Sequence, residues 1–167
     1  MIKNRSVNIL IVALLLLGIM AVTLWFFIEK SHDDFADKIK VSENGVTEKV
    51  FTVRDLMLNP SESKEYTVEL VCDASGSYDI SLDFEEKHNG GMKKFVSVTV
   101  TRGDDVVYEG NLTKLLDKNS PDIEFDGELY AEDPLPITIR YEIPRNIGNE
   151  AQGTSADFDI HVKIKKN

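Results

Sequence analysis

From about Val50 to the end of the chain, apolar residues recur at every second position in most segments. Tyr66, Val68, Leu70 and Cys72 share one parity, as do Tyr78, Ile80, Leu82 and Phe84, and also Val96, Val98 and Val100. The same holds for Ile137, Ile139, Tyr141 and Ile143, and for Phe158, Ile160, Val162 and Ile164. Their neighbours of opposite parity are solvent residues: Asp79, Ser81 and Asp83; Thr138, Arg140 and Glu142; Asp157, Asp159, His161 and Lys163. Side chains on a strand point alternately to its two faces, so each segment predicts a strand with one dry and one wet face. Antiparallel strands of this kind, separated by turn-forming runs such as "HNGG" from His88 and "RGDD" from Arg102, pack dry face to dry face. The prediction is an all-β domain, an antiparallel β-sandwich over residues 50–167, interrupted by a short helical turn between Leu112 and Leu116.

Ahead of the alternating region the pattern changes twice. Ile9 to Ile28 is an uninterrupted uncharged run, about the length that crosses a bilayer core of roughly 30 Å. It exceeds the 7–15 residues usual for the apolar part of a secretory signal, and it ends in Trp25, Phe26 and Phe27, which suit a headgroup interface. The run therefore reads as a retained transmembrane signal-anchor, with cleavage as a signal peptide near Gly18 or Ala21 as the alternative. Lys3 and Arg5 precede it, which leaves residues 1–8 in the cytoplasm and the C-terminal domain outside, at the cell membrane, or secreted if the segment is cut. Residues 29–49 are mixed in charge and weakly patterned, with Phe35 and Ile39 at helical spacing, and they predict a stalk or linker.

Charge narrows the partners. All 29 acidic residues and all but two of the 19 basic ones follow Ile28, so the outer part carries a formal charge of −12. That excludes adhesion to nucleic acid and disfavours an anionic lipid surface, leaving the membrane contact to residues 9–28. The single cysteine, Cys72, has no intramolecular partner, and its parity points it into the core as a small hydrophobe.

The order of three blocks carries a resemblance. "DLMLNPSESKEYTVEL", a Pro-initiated turn feeding a strand, is followed by "VSVTVTRGDDVVYEGNLTKLL" and then by "IPRNIGNEAQGTSADFDI". This order resembles the TasA/camelysin family of exported bacterial surface and biofilm-matrix proteins over roughly Phe51 to Ile164. The most specific part is the closing motif: Pro144 after a strand, then Gly148, Asn149, Gln152 and Gly153, then a strand from Phe158. The resemblance implies a jelly-roll domain, often assembled into extracellular fibres in which an N-terminal strand of one subunit completes the sheet of the next. Two departures stand out: the aromatic "LWFFIEK" is unlike a cleavage site, and the chain closes on "KIKKN" rather than an Ala-x-Gln. An anchored relative that contacts surface proteins or its own copies through a sheet edge is the expected function.

Candidate chemistry is sparse. Camelysin-like proteins are also labelled metallopeptidases, and a zinc hydrolase needs about three protein ligands plus a general base. The chain offers His32, His88 and His161, with no HExxH helix, so no catalytic residue and no cofactor is predicted. "DIEFDGELYAED" approximates a calcium loop, with Asp122, Glu124, Asp126 and Asp133 as weak ligands, but a strand burying Ile123 and Phe125 explains the same residues. A cation- or ligand-binding surface module is accordingly the alternative function. The Arg102-Gly103-Asp104 tripeptide is read as hairpin chemistry, and Asn111 heads an "NLT" glycosylation sequon.

Overall fold

The computed structural model describes residues 36–42 and 45–167, which form nine strands in two sheets. The first sheet has the order β1-β3-β8-β5-β6, from β1 (Ala36–Val41), β3 (Ser63–Cys72), β5 (Ser97–Arg102), β6 (Asp105–Asn111) and β8 (Leu135–Glu142). The second has the order β2-β9-β4-β7, from β2 (Val46–Leu56), β4 (Gly76–Gly90), β7 (Ile123–Leu129) and β9 (Ser155–Lys166). With β1 set aside, the eight remaining strands fall into two sheets of four in the order of two interlocked Greek keys, which is that of a jelly roll. The predicted transmembrane segment, residues 9–28, lies outside the described residues. Among those described, no helix is long and apolar enough to cross a membrane.

The period-two segments form the dry interior. Leu70 and Cys72, Tyr78 to Phe84, Val96 to Val100, Ile137 to Ile143 and Phe158 to Ile164 are all buried at the predicted parity. An aromatic chain links the sheets: Tyr66 stands edge-on to Tyr141 at 5.6 Å, Tyr141 lies 5.6 Å from Phe158, and Phe158 lies 6.2 Å from Phe84. Such pairs add about 0.5–1.5 kcal/mol each beyond their buried area. Burial pushes the Tyr141 phenol well above its ordinary value, and its hydroxyl has no hydrogen-bond partner among the described residues.

Two expectations are corrected and a third is met. The stretch read as a stalk, residues 29–49, enters the fold at Ala36: Ile39 and Val41 are buried on a strand, not spaced along a helix. The sandwich therefore begins some residues before position 50. "HNGG" is not a turn, because β4 runs through His88, Asn89 and Gly90, with a bulge between Glu86 and His88. Gly90 is needed for close approach instead, since a Cβ there would fall 2.5 Å from the Ser155 carbonyl oxygen. The predicted helical turn is present as α1 (Leu112–Leu115), N-capped by the Asn111 side chain, which accepts from the Thr113 amide at 2.8 Å.

Candidate functional site

Among the described residues the sandwich has four edge strands, β1 and β6 in one sheet and β2 and β7 in the other. Edge strands present unpaired amide and carbonyl groups, so they are where a second chain can pair. The edges differ in how firmly they are held. β1 alternates as Asp37, Ile39 and Val41 inward and Lys38 and Lys40 outward, and among its described side chains Ile39 and Val41 are buried. It runs parallel to β3, with Ala36 level with Thr67 and Val41 level with Cys72. On the outer face Lys38 meets Glu69 at 3.1 Å and Lys40 meets Asp73 at 2.8 Å, exposed pairs worth about 0–1 kcal/mol each. β1 is therefore an edge strand held by little.

β2 is the edge that faces β1 across the sandwich. Asp37 of β1 meets Lys49 of β2 at 3.3 Å, and the Lys49 ammonium lies 4.9 Å from the centre of the Phe51 ring. Beneath this strap lies a cavity of about 260 Å³, lined chiefly by Phe51, Val53, Tyr66, Val68, Ile139 and Ile160, with Asp37 and Thr52 as its polar members. On the outward face of β2, Val46 and Val50 are 60% and 45% exposed, an apolar pair beside a free edge. Beyond Val53 the strand bulges and Asp55 takes a positive φ of 49°, its amide donating to the Asp157 carboxylate at 2.8 Å. That bulge ends the flat pairing edge.

A second group lies on the wet face of the sheet that contains β2, on its neighbours β9 and β4. Glu85 of β4 stands directly opposite Asp159 of β9, a like-charge juxtaposition that costs stability unless neutralised. Lys87 supplies the neutralising charge, at 2.7 Å from Glu85 and 3.2 Å from Asp159. His161 approaches Glu85 through Nε2 at 3.4 Å and Glu48 through Nδ1 at 3.8 Å. The Lys87 hydrogen bond chiefly lowers the Glu85 carboxyl, the Thr52 hydroxyl and then Lys87 lower that of Asp159, and Glu85 in turn raises the Lys87 ammonium. One ligand atom from each of Glu85, Asp159 and His161 lies within 4.8 Å of the others, close enough to share a divalent cation. Sequence reasoning placed His161 on the wet face but did not single out Glu85 or Asp159, because their meeting depends on the β4–β9 register.

The four calcium candidates do not converge, which corrects the loop reading. Glu124 and Asp126 project outward from β7, between the inward Ile123, Phe125 and Gly127. Asp122 precedes that strand, where it accepts from the Ser81 hydroxyl, and Asp133 lies beyond its far end in the turn closed by its amide on the Tyr130 carbonyl. Seven residues of strand separate the two, roughly 20 Å, so no twelve-residue calcium loop forms. His88 is exposed on β4, and His32 lies outside the described residues.

The closing motif is architectural. Pro144 follows β8, its carbonyl accepts from Ile147 at 3.0 Å, and a 3-10 turn over Asn149–Ala151 buries Ala151. Gly153 takes a positive φ of 73°, whereas Gly148 sits at −77°, where any residue is allowed. The Gln152 side-chain amide donates to Asn149 Oδ1 at 3.2 Å, which ties the turn to itself. Phe158 then enters the core. At the hairpin tip Gly103 has φ 55°, and Arg102 is engaged by Asp105 at 3.0 Å and by the Asp126 carbonyl, which fits turn chemistry.

No family model matches the sequence, and no curated protein does. Among solved structures, the fold is similar to FlhE (TM-score 0.43, 14% identity, covering 74% of this chain and 100% of that one). It is also similar to a family 35 carbohydrate-binding module from Clostridium thermocellum (0.37, 8%, 74% and 100%). PliG from Salmonella Typhimurium, a periplasmic inhibitor of g-type lysozyme, matches at 0.31 and 10%, covering 77% and 98%. Likeness at this level does not extend to partners or activity. The class defined by the chain itself is an all-β sandwich of two sheets, with a lightly held N-terminal strand at one edge.

Proposed function

We propose that this chain is a membrane-tethered extracytoplasmic structural or interaction protein that contacts its partners by β-strand addition, with β1 as the strand that exchanges. The observation that carries the reading is the position of β1: an N-terminal, parallel edge strand of six residues with two buried side chains, in front of a sandwich complete without it. When β1 leaves, the β3 edge is free to accept the same strand from a neighbour, which gives a head-to-tail chain of copies. The family-like order of blocks and the apolar run Ile9–Ile28 support a surface location, and a retained anchor suits a fibre base or tether better than a fibre body.

The test is complementation. A chain lacking residues 36–41 should take up a peptide spanning Asp33 to Ser42, and the intact chain should form head-to-tail assemblies visible by electron microscopy. In the reading proposed, the double variant Ile39→Asp, Val41→Asp loses both. If the shortened chain ignores the peptide and the intact chain never associates, strand addition is wrong.

A second reading, a cation-binding surface module, rests on Glu85, Asp159 and His161. Lys87 already supplies positive charge there, so a metal must displace it. Zinc titration by calorimetry should show tighter binding in Lys87→Met than in the native chain, and heats indistinguishable from buffer in both would remove this reading.

A further inference from the structure

The longest of the edge strands is also the least protected. β2 pairs with β9 without a shift from Val46, level with Lys165, to Val53, level with Phe158. Among the described residues, no backbone group pairs with the outer side of that stretch. The other edges are shorter and blunted. β1 spans six residues and carries Lys38 and Lys40, β6 meets β5 through a bulge between Val100 and Thr101, and on β7 the Asp126 carbonyl accepts from Arg102. A long, flat edge with apolar side chains is a template for pairing with another chain. On β2 that apolar character comes from Val46 and Val50, exposed on the same face.

A strand that pairs antiparallel with a second copy of itself has few registers to choose from. The two-fold axis stands perpendicular to the sheet, so each face of one copy continues the same face of the other, and residues that meet must share parity. Two such registers keep nearly all of the flat stretch: Val46–Thr52 centred on Lys49, and Thr47–Val53 centred on Val50. Centring on Lys49 sets two ammonium groups opposite one another and Glu48 against Val50, which is unfavourable. Centring on Val50 sets the two valines face to face, Glu48 against Thr52 and Lys49 against Phe51, with no like charges opposed. An inward lysine ordinarily guards an edge. Here Asp37 balances its charge at 3.3 Å, and the ammonium already lies 4.9 Å from the centre of its own Phe51 ring, so Lys49 does not bar the pairing.

We propose that the β2 edge is a self-association surface whose occupant is the β2 strand of a second copy of this chain, antiparallel and centred on Val50. The pairing joins two four-stranded sheets into one, in the order β7-β4-β9-β2-β2-β9-β4-β7. It stops at the bulge beyond Val53, where Asp55 turns its amide to the Asp157 carboxylate. Because the same patch serves both copies, the contact closes after two and leaves the opposite sheet, with its β3 edge, out of the interface. The inference thus goes beyond strand addition by β1 and stands or falls apart from it.

The test is oxidative cross-linking of the full chain in detergent micelles, with single cysteines added to a parent whose own Cys72 is buried and gives the background. Directly opposed positions on antiparallel strands have Cα atoms about 4.5–5.5 Å apart, within the span of a disulfide. Val50→Cys should therefore link to itself, and an equal mixture of Glu48→Cys and Thr52→Cys chains should link to each other far more than either does alone. Links at Val50→Cys no stronger than at Tyr130→Cys, an exposed position beyond β7, overturn the surface. Preferential linking of Glu48→Cys with Val50→Cys overturns the register. A second readout is energy transfer between donor- and acceptor-labelled chains. Val50→Lys and Val50→Glu should each weaken self-association about tenfold, because like charges then face each other, and their equal mixture should restore it. A mixture that associates no better than either variant overturns pairing at Val50.

Discussion

The two flanks of the sandwich are closed by different means. Where β6 and β7 form the edges, the chain crosses between sheets through α1, and Leu112, Leu115, Leu116 and Ile123 bury themselves there. Gly127 of β7 lies so close to the interior that a Cβ would come within 2.8 Å of Ile80 Cδ1. On the opposite flank, β1 and β2 are joined by an exposed ion pair above an apolar cavity. One flank is filled with hydrocarbon and the other is strapped by charge. Hydrocarbon packing is lost only by unfolding, whereas a screened ion pair over a cavity is the weaker closure, so any local opening is expected on the second flank.

The largest effect should come from the closed flank. Leu112→Ala is expected to destabilise the fold by about 2–5 kcal/mol in urea denaturation, because it empties a packed position. Ile39→Ala, which removes a comparable side chain on the open flank, should cost roughly 2 kcal/mol or less, since its loss is limited by the free energy that holds β1. Equal losses at the two positions would contradict the difference between flanks.

Added volume should separate the flanks with opposite signs. Val68→Leu extends into the cavity and is expected to raise stability by about 0.5–1 kcal/mol. Gly127→Ala on the closed flank should lower it by about 1 kcal/mol, through the contact with Ile80. Thermal melts of the two variants give the comparison directly.

The smallest effects are electrostatic. Glu85 and Asp159 titrate below their ordinary values of 4.5 and 3.8, so their contribution is present above those values and is lost as acid brings pH through the lower folded ones. Lys87 titrates above 10.5, so its contribution is complete below that value and is lost as pH rises through the higher folded one. Stability from this group should be flat between about pH 5 and 10 and fall on either side. Lys87→Met should remove the alkaline fall, leave Glu85 and Asp159 in repulsion, and make stability increase with added salt. Asp37→Asn on the open flank should change stability by less than about 1 kcal/mol and only at low salt.

The interior was legible in the sequence wherever a strand is buried on one face along its length, as in β4 and β9, because alternation there is unbroken. β1 and β2 were not, and for a physical reason. Their inward positions include Asp37, Thr47 and Lys49, which border the open flank and do not need to be apolar, so the period of two is diluted where the site lies. The resemblance implied an N-terminal strand of functional use but did not locate it. Ile39, which the sequence spaces four residues from Phe35 as on a helix, lies on a strand instead. The Glu85–Asp159–His161 group was hidden because register between distant strands is set by the whole sheet.

Native-state hydrogen exchange of the full chain shows whether β1 leaves the sandwich while the rest stays folded. The protected amides of Ala36–Val41 should exchange through a local opening several-fold to many-fold faster than those of Leu135–Glu142 in the middle of the same sheet, with little dependence on denaturant. Exchange of both strands at one common rate, rising together with denaturant as in global unfolding, would contradict it.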